Sequence, residues 1–153
     1  MSNLNRTGPY LEAMALSRIV EDMMQDGAVI TYSNDGSSRS RVGAYLVQSL
    51  TINGKQRVLP TFGLISESRD TLKDLEITTA KILAAASGNK YSPSEIVGRI
   101  NFVVTDSTAH NLGVIEQVCE ELEVEQVPKT LLCNAHPIIM FQNKTVQLFK
   151  VKE

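Results

Sequence analysis

Apolar positions recur along this chain first with a helical period and then with the alternation of strands. From Tyr10 to Gln25, Leu11, Met14, Ala15, Ile19 and Met23 follow helical spacing, and Asp26-Gly27 supplies a stop. The methionines are expected to fill gaps in a core. Residues 1 to 9 are polar and contain Gly8-Pro9, which predicts a frayed lead-in to that helix. Ala28 to Asn34 predicts a short strand and Val42 to Ile52 a longer one. Asn53-Gly54 is a strong hairpin signal, so Gln56 to Leu64 is expected to return antiparallel to the second strand.

The period then changes again. Arg69 to Ala86 carries Leu72, Leu75, Ile82 and Leu83 at helical spacing, with Ser68 as a cap and Ser87-Gly88 as the end. Ser92-Pro93-Ser94-Glu95 opens a short helix, with Ser92 at the cap and Pro93 in the first turn. Phe102, Val103 and Val104 form a strand of the kind buried on both faces, ending at Asp106. A helix from about Ala109 to Glu123 turns Leu112, Ile115, Cys119 and Leu122 inward. Thr130 to Cys133 is a fifth strand, and Pro137 to Phe149 a last helix or an irregular tail.

Composition narrows the class of protein. At 153 residues, 42% hydrophobic and 21% charged, the chain is expected to be globular, with one domain over residues 28–153 behind a lead-in and helix over 1–27. The net charge of −2 argues against binding nucleic acid by bulk electrostatics, and leaves a local basic patch or a bound metal to do so. Arg39, Arg41, Lys55 and Arg57, in or beside the first hairpin, are candidates for such a patch or are ordinary solvated positives. Two cysteines are too few for a disulfide framework, and there is no signal-peptide core and no apolar run of about 20 residues. An intracellular protein, nuclear or cytoplasmic and without a membrane partner, is expected.

The candidate chemistry lies in three acids. Asp106 closes the fourth strand, at the edge of an α/β sheet where ligands collect. Its plainer role, shared with Ser107, is to cap the following helix. Asp35 follows the first strand, where Asp35-Gly36 also suits a turn. Glu76 lies on the long helix among Glu67, Asp70 and Asp74, as a solvated residue or as a ligand.

In their order, β-β-β-α-β-α-β with acids after strands one and four, these elements resemble the ribonuclease H-like fold. Tyr32-Ser33-Asn34-Asp35-Gly36-Ser37-Ser38 with Gly43-Ala44-Tyr45-Leu46 looks like that fold's first strand and its exit. Val104-Thr105-Asp106-Ser107 looks like the end of its fourth strand, and Leu75-Glu76-Ile77 is similar to the place where ribonucleases H carry a glutamate. The resemblance implies an α/β fold with a mixed five-stranded sheet and helices on both faces. It further implies that Asp35 and Asp106 ligate Mg²⁺ or Mn²⁺, with Glu76 a third catalytic acid. Two such ions about 3.5–4 Å apart stabilise the attacking and leaving oxygens of a phosphodiester, and hard ions require converging oxygen ligands.

Cys133-Asn134-Ala135-His136 follows strand five and resembles the C-x-x-H motif of hAT-type DNA transposases, so that the resemblance spans roughly residues 28 to 141. It implies nucleic acid, DNA by preference, as the partner, and leaves a homo-oligomer open. The family's tryptophan has no counterpart, because this chain contains none. The family's third acid lies far downstream, whereas 20 residues follow Cys133 here (153 − 133). The chain is therefore expected to be a truncated core, a fragment or a derivative that has lost strand transfer, and the alternative to catalysis is a non-catalytic derivative in which the same fold serves as a binding or assembly module. A zinc site would need Cys119 and His110 beside Cys133 and His136, and two of these four fall on one predicted helix. A triad of Ser107, His110 and Asp106 is set aside, since an adjacent acid and serine cannot readily flank one imidazole.

Overall fold

The Asn53-Gly54 turn forms as its sequence demands. Both residues adopt the left-handed conformation, with φ of 49° and 80°, as a two-residue hairpin turn requires. The turn joins β2 (Ala44–Ile52) to β3 (Lys55–Leu59), which pair antiparallel from Ile52↔Lys55 to Gln48↔Leu59. In the computed structural model, which describes residues 3–37, 44–59, 64–65, 69–106 and 113–133, this hairpin is one side of a mixed sheet.

Strand β1 (Ile30–Ser37) pairs antiparallel along the other edge of β2, and the two-residue β4 (Leu64–Ile65) pairs with the start of β2. Strand β5 (Phe102–Asp106) then lies parallel to β1, and β6 (Lys129–Cys133) parallel to β5. The main path is β3-β2-β1-β5-β6, so the fold is α/β with the expected five-stranded mixed sheet, supplemented by β4. This order is compatible with the ribonuclease H-like class. Asn101 fixes the central junction, because its Oδ1 accepts from the Ile30 amide at 2.7 Å and its own amide donates to the Ile30 carbonyl at 2.9 Å.

Strand alternation sends Ile30 and Tyr32 from β1, and Leu50 and Ile52 from β2, to the same face, where Leu59 and Val103 join them in the core. All four described helices pack on this one face, where helices on both were expected: α1 (Asn3–Met23), α2 (Arg69–Ala86), α3 (Pro93–Gly98) and α4 (Val114–Glu121). A second, smaller cluster of Leu72, Ile77, Val114 and Val118 ties α2 to α4. The opposite face carries Ser33 and Ser49, whose hydroxyl oxygens lie 2.7 Å apart, with Val47 and Val58 exposed. The segment after Cys133, expected to be a helix or tail, lies outside the described residues.

Helix α2 has the bounds expected of it, and α3 carries the expected capping box. Ser92 Oγ accepts from the Glu95 amide at 3.1 Å, and Glu95 Oε2 accepts from the Ser92 amide at 2.7 Å. Those bonds hold the Glu95 carboxyl below its usual range.

Helix α1 departs from expectation twice. It begins at Asn3 and runs through Gly8-Pro9, so the lead-in is helical at the cost of the backbone bond that Pro9 cannot donate. Its buried stripe is Leu16, Ile19, Val20 and Met23, whereas Leu11 and Met14 are 64% and 54% exposed. Ile19 and Met23 belong to both spacings, and the packed stripe continues through Leu16 and Val20 instead of Met14 and Ala15. Among the described residues, no helix is long and apolar enough to cross a membrane.

Candidate functional site at the carboxyl edge of the sheet

The sequence's candidates lie toward the carboxyl ends of three parallel strands. The β1–β5 register pairs Thr31 with Phe102, Tyr32 with Val103 and Ser33 with Val104, an offset of 71 throughout (102 − 31). Asp35 and Asp106 are separated by the same 71 positions (106 − 35), and both lie within these strands. Both acids lie two residues beyond Ser33 and Val104, the last positions at which the two parallel strands pair. On the other side of β5, Cys133 is the register partner of Asp106. Asp35 is a strand residue paired with Val47, so its reading as a turn gives way to pairing along β1.

The capping role expected for Asp106 or Ser107 is corrected for α4. That helix begins at Val114 and its N-cap is Gly113, with a left-handed φ of 79° and no side-chain capping bond. Residues 107–112, including His110 and the first part of the helix expected from about Ala109, lie outside the described residues, as does His136. Arg39 and Arg41 also lie outside them. Lys55 and Arg57 are exposed on β3, and Arg57 is 3.8 Å from Asp22 on α1.

Glu76 is where the structure departs most from a solvated helix residue. It is 7% exposed, facing the sheet from the α2 stripe that includes Leu72, Thr79, Ala80 and Leu83. Its Oε2 accepts from the Tyr32 hydroxyl at 2.5 Å and from Gln48 Nε2 at 3.1 Å, and its Oε1 accepts from Asn34 Nδ2 at 3.0 Å. Gln48 Nε2 also donates to the Tyr32 oxygen at 2.9 Å, and Thr79 Oγ1 lies 3.2 Å from Gln48 Oε1. Both carboxylate oxygens thus have protein donors.

Burial raises the Glu76 carboxyl above its ordinary range, and the bonds from Tyr32, Asn34 and Gln48 pull the other way. Burial, followed by the neighbouring Glu76 charge, pushes the Tyr32 hydroxyl well above its ordinary value of 10. A carboxyl so enclosed does not fit the open ligand that the ribonuclease H resemblance implies. Among the described residues, no three His, Cys, Asp or Glu side chains gather as a metal cluster.

Tyr32, Asn34 and Gln48 were not singled out by the sequence, although a signal for them existed. Asn34 and Gln48 are cross-strand partners at inward positions of β1 and β2, and Glu76 interrupts an apolar helix stripe. Polar residues at alternating core positions on three elements imply a shared network. Of the two cysteines, Cys119 is buried on α4 and Cys133 half-buried at the end of β6, and both are free thiols. Burial, with a smaller contribution from Glu116, pushes the Cys119 thiol up to about 11.

Comparison with models of protein families gives no match, and comparison with curated proteins gives none.

Proposed function

We propose that this chain is a ribonuclease H-like domain, similar to the core of a hAT-type transposase, that acts on the phosphodiester backbone of nucleic acid with divalent metal ions. The observation that supports the proposal is that β1 and β5 run parallel side by side, with Asp35 and Asp106 each two residues beyond their last paired positions, Ser33 and Val104. These two residues would hold Mg²⁺ or Mn²⁺ at the carboxyl edge. A bound ion there supplies stabilisation of charge on the phosphodiester oxygens. Lys55 and Arg57 on β3 supply positive charge for a phosphate backbone, DNA being the expected substrate.

A second reading, a binding or assembly module without catalysis, is favoured by Glu76. Its engagement with Tyr32, Asn34 and Gln48 withdraws the third acid from the ligand set. Incubation of single- and double-stranded DNA and RNA with the protein in Mn²⁺ separates the two. Cleavage or strand transfer lost in Asp35→Asn and Asp106→Asn supports catalysis. Binding without turnover, unchanged by either substitution, supports the module and sinks the catalytic reading.

A further inference from the structure

Beneath the carboxyl edge, β1, β5, β6 and the start of α4 enclose a small cavity of about 10 Å³. Asn34, Thr105 and Thr130, one from each of three adjacent strands, line it. Asn34 Oδ1, Thr105 Oγ1 and Thr130 Oγ1 are all buried and without a hydrogen-bond partner, and Thr105 as a whole is only 3% exposed. Native interiors seldom leave such groups unpaired, and three around one space mark a position for a bound species. The volume admits a single particle of about the size of a water molecule.

The wall determines the sign of that species. Glu76 and Glu116 both line the cavity, and the Asn34 amide N–H already donates to Glu76. Asn34 Oδ1 can therefore only accept, and the two threonine hydroxyls each offer lone pairs as well as one rotatable proton. The N-terminus of α4 adds a partial positive charge near Gly113, which Glu116 in its first turn offsets. Oxygen donors, two acid residues and room for one small sphere suit a hard cation rather than an anion or an organic molecule.

We propose that the cavity binds one hard cation through Asn34 Oδ1, Thr105 Oγ1 and Thr130 Oγ1, with Glu76 behind these ligands and Glu116 at the rim. This site uses residues of the helix-packed side and does not rest on Asp35 or Asp106 binding metal. It ties β1, β5 and β6 together one residue before each of those acids, since Asn34 precedes Asp35 and Thr105 precedes Asp106. An ion here braces the edge on which the proposed phosphodiester chemistry depends.

The test is thermal unfolding of the full chain in NaCl, KCl, MgCl₂ or CaCl₂, each compared with choline chloride at equal ionic strength. One of these cations is expected to raise Tm saturably. Its half-saturating concentration is expected to rise at least tenfold in Thr105→Val and in Thr130→Val, and to be restored in Thr105→Ser. Glu116→Gln, at an exposed rim position, keeps the test usable if the valine variants do not fold, and is expected to weaken the effect severalfold. Asp106→Asn is expected to leave it in place. The proposal is overturned if no cation acts differently from choline, as with a water molecule in the cavity. It is equally overturned if the effect survives Thr105→Val or disappears in Asp106→Asn.

Discussion

Replacing Glu76 distinguishes a structural carboxyl from a metal ligand, because the two roles give opposite signs. A ligand acid held near other acids repels them when metal is absent, and its removal relieves the fold. An acid that satisfies buried donors is missed when removed. Glu76→Ala leaves the Tyr32 hydroxyl proton and Asn34 Nδ2 without acceptors, while Gln48 Nε2 keeps the Tyr32 oxygen. At about 1–3 kcal/mol for each buried unpaired group, the loss is about 2–6 kcal/mol. That is a large part of the roughly 5–15 kcal/mol that holds a domain together.

Glu76→Gln behaves differently. Its amide oxygen can accept from Tyr32 and Gln48 in place of Oε2, and its amide nitrogen can donate to Asn34 Oδ1 once the Asn34 amide rotates. With no cation in the cavity, Asn34 Oδ1 has no hydrogen bond to lose in that rotation. A cost below about 1.5 kcal/mol is expected, comparable with one net hydrogen bond. Urea unfolding followed by far-ultraviolet circular dichroism, in metal-free buffer, measures both variants. Wild-type or greater stability in Glu76→Ala refutes the structural role, and equal destabilisation by Gln and Ala refutes the proposed rearrangement.

Further outcomes follow from the same packing. Burial holds the Glu76 carboxyl above its ordinary 4.5 in the folded chain, so the native state retains a proton that the unfolded chain releases. Its stabilising contribution is complete below pH 4.5 and is lost as pH rises through the raised folded value, so wild type is expected to lose stability relative to Glu76→Gln across that window; parallel pH profiles refute this. Cys119, buried and with its thiol pushed up to about 11, is expected to resist alkylation at pH 8 in the native protein, while half-buried Cys133 reacts. Peptide mapping after iodoacetamide treatment checks this, and prompt native labelling of Cys119 contradicts it. Gly54→Ala is expected to destabilise the β2–β3 hairpin by about 1 kcal/mol, because Gly54 has a φ of 80°; unchanged urea unfolding tells against it.

What was legible in the sequence was local. The bounds of α2, the α3 capping box and the Asn53-Gly54 hairpin depend on residues a few positions apart, and each formed as expected. The five-stranded mixed sheet followed from the order of these elements. The buried stripe of α1 was not legible, because Leu11 and Leu16 are equally apolar and only the neighbouring sheet and α2 decide which is covered. Glu76 was misread for a related reason. Nearby acids on its own helix suggested a solvated face, while the donors that allow its burial come from β1 and β2, 28 to 44 positions away. The adjacency of strands one and four lies between these cases: β1 and β5 are parallel neighbours, as the resemblance implied, and their pairing ends at Ser33↔Val104, two residues before Asp35 and Asp106.

Calorimetric titration of the metal-free protein with Mn²⁺ tests the central claim most directly, with wild type compared with Asp35→Asn and Asp106→Asn. The expected result is saturable binding in wild type, weakened at least tenfold by each substitution, with both variants as stable as wild type. Absence of binding, or binding that neither substitution changes, contradicts the assignment of Asp35 and Asp106 as a metal-holding pair.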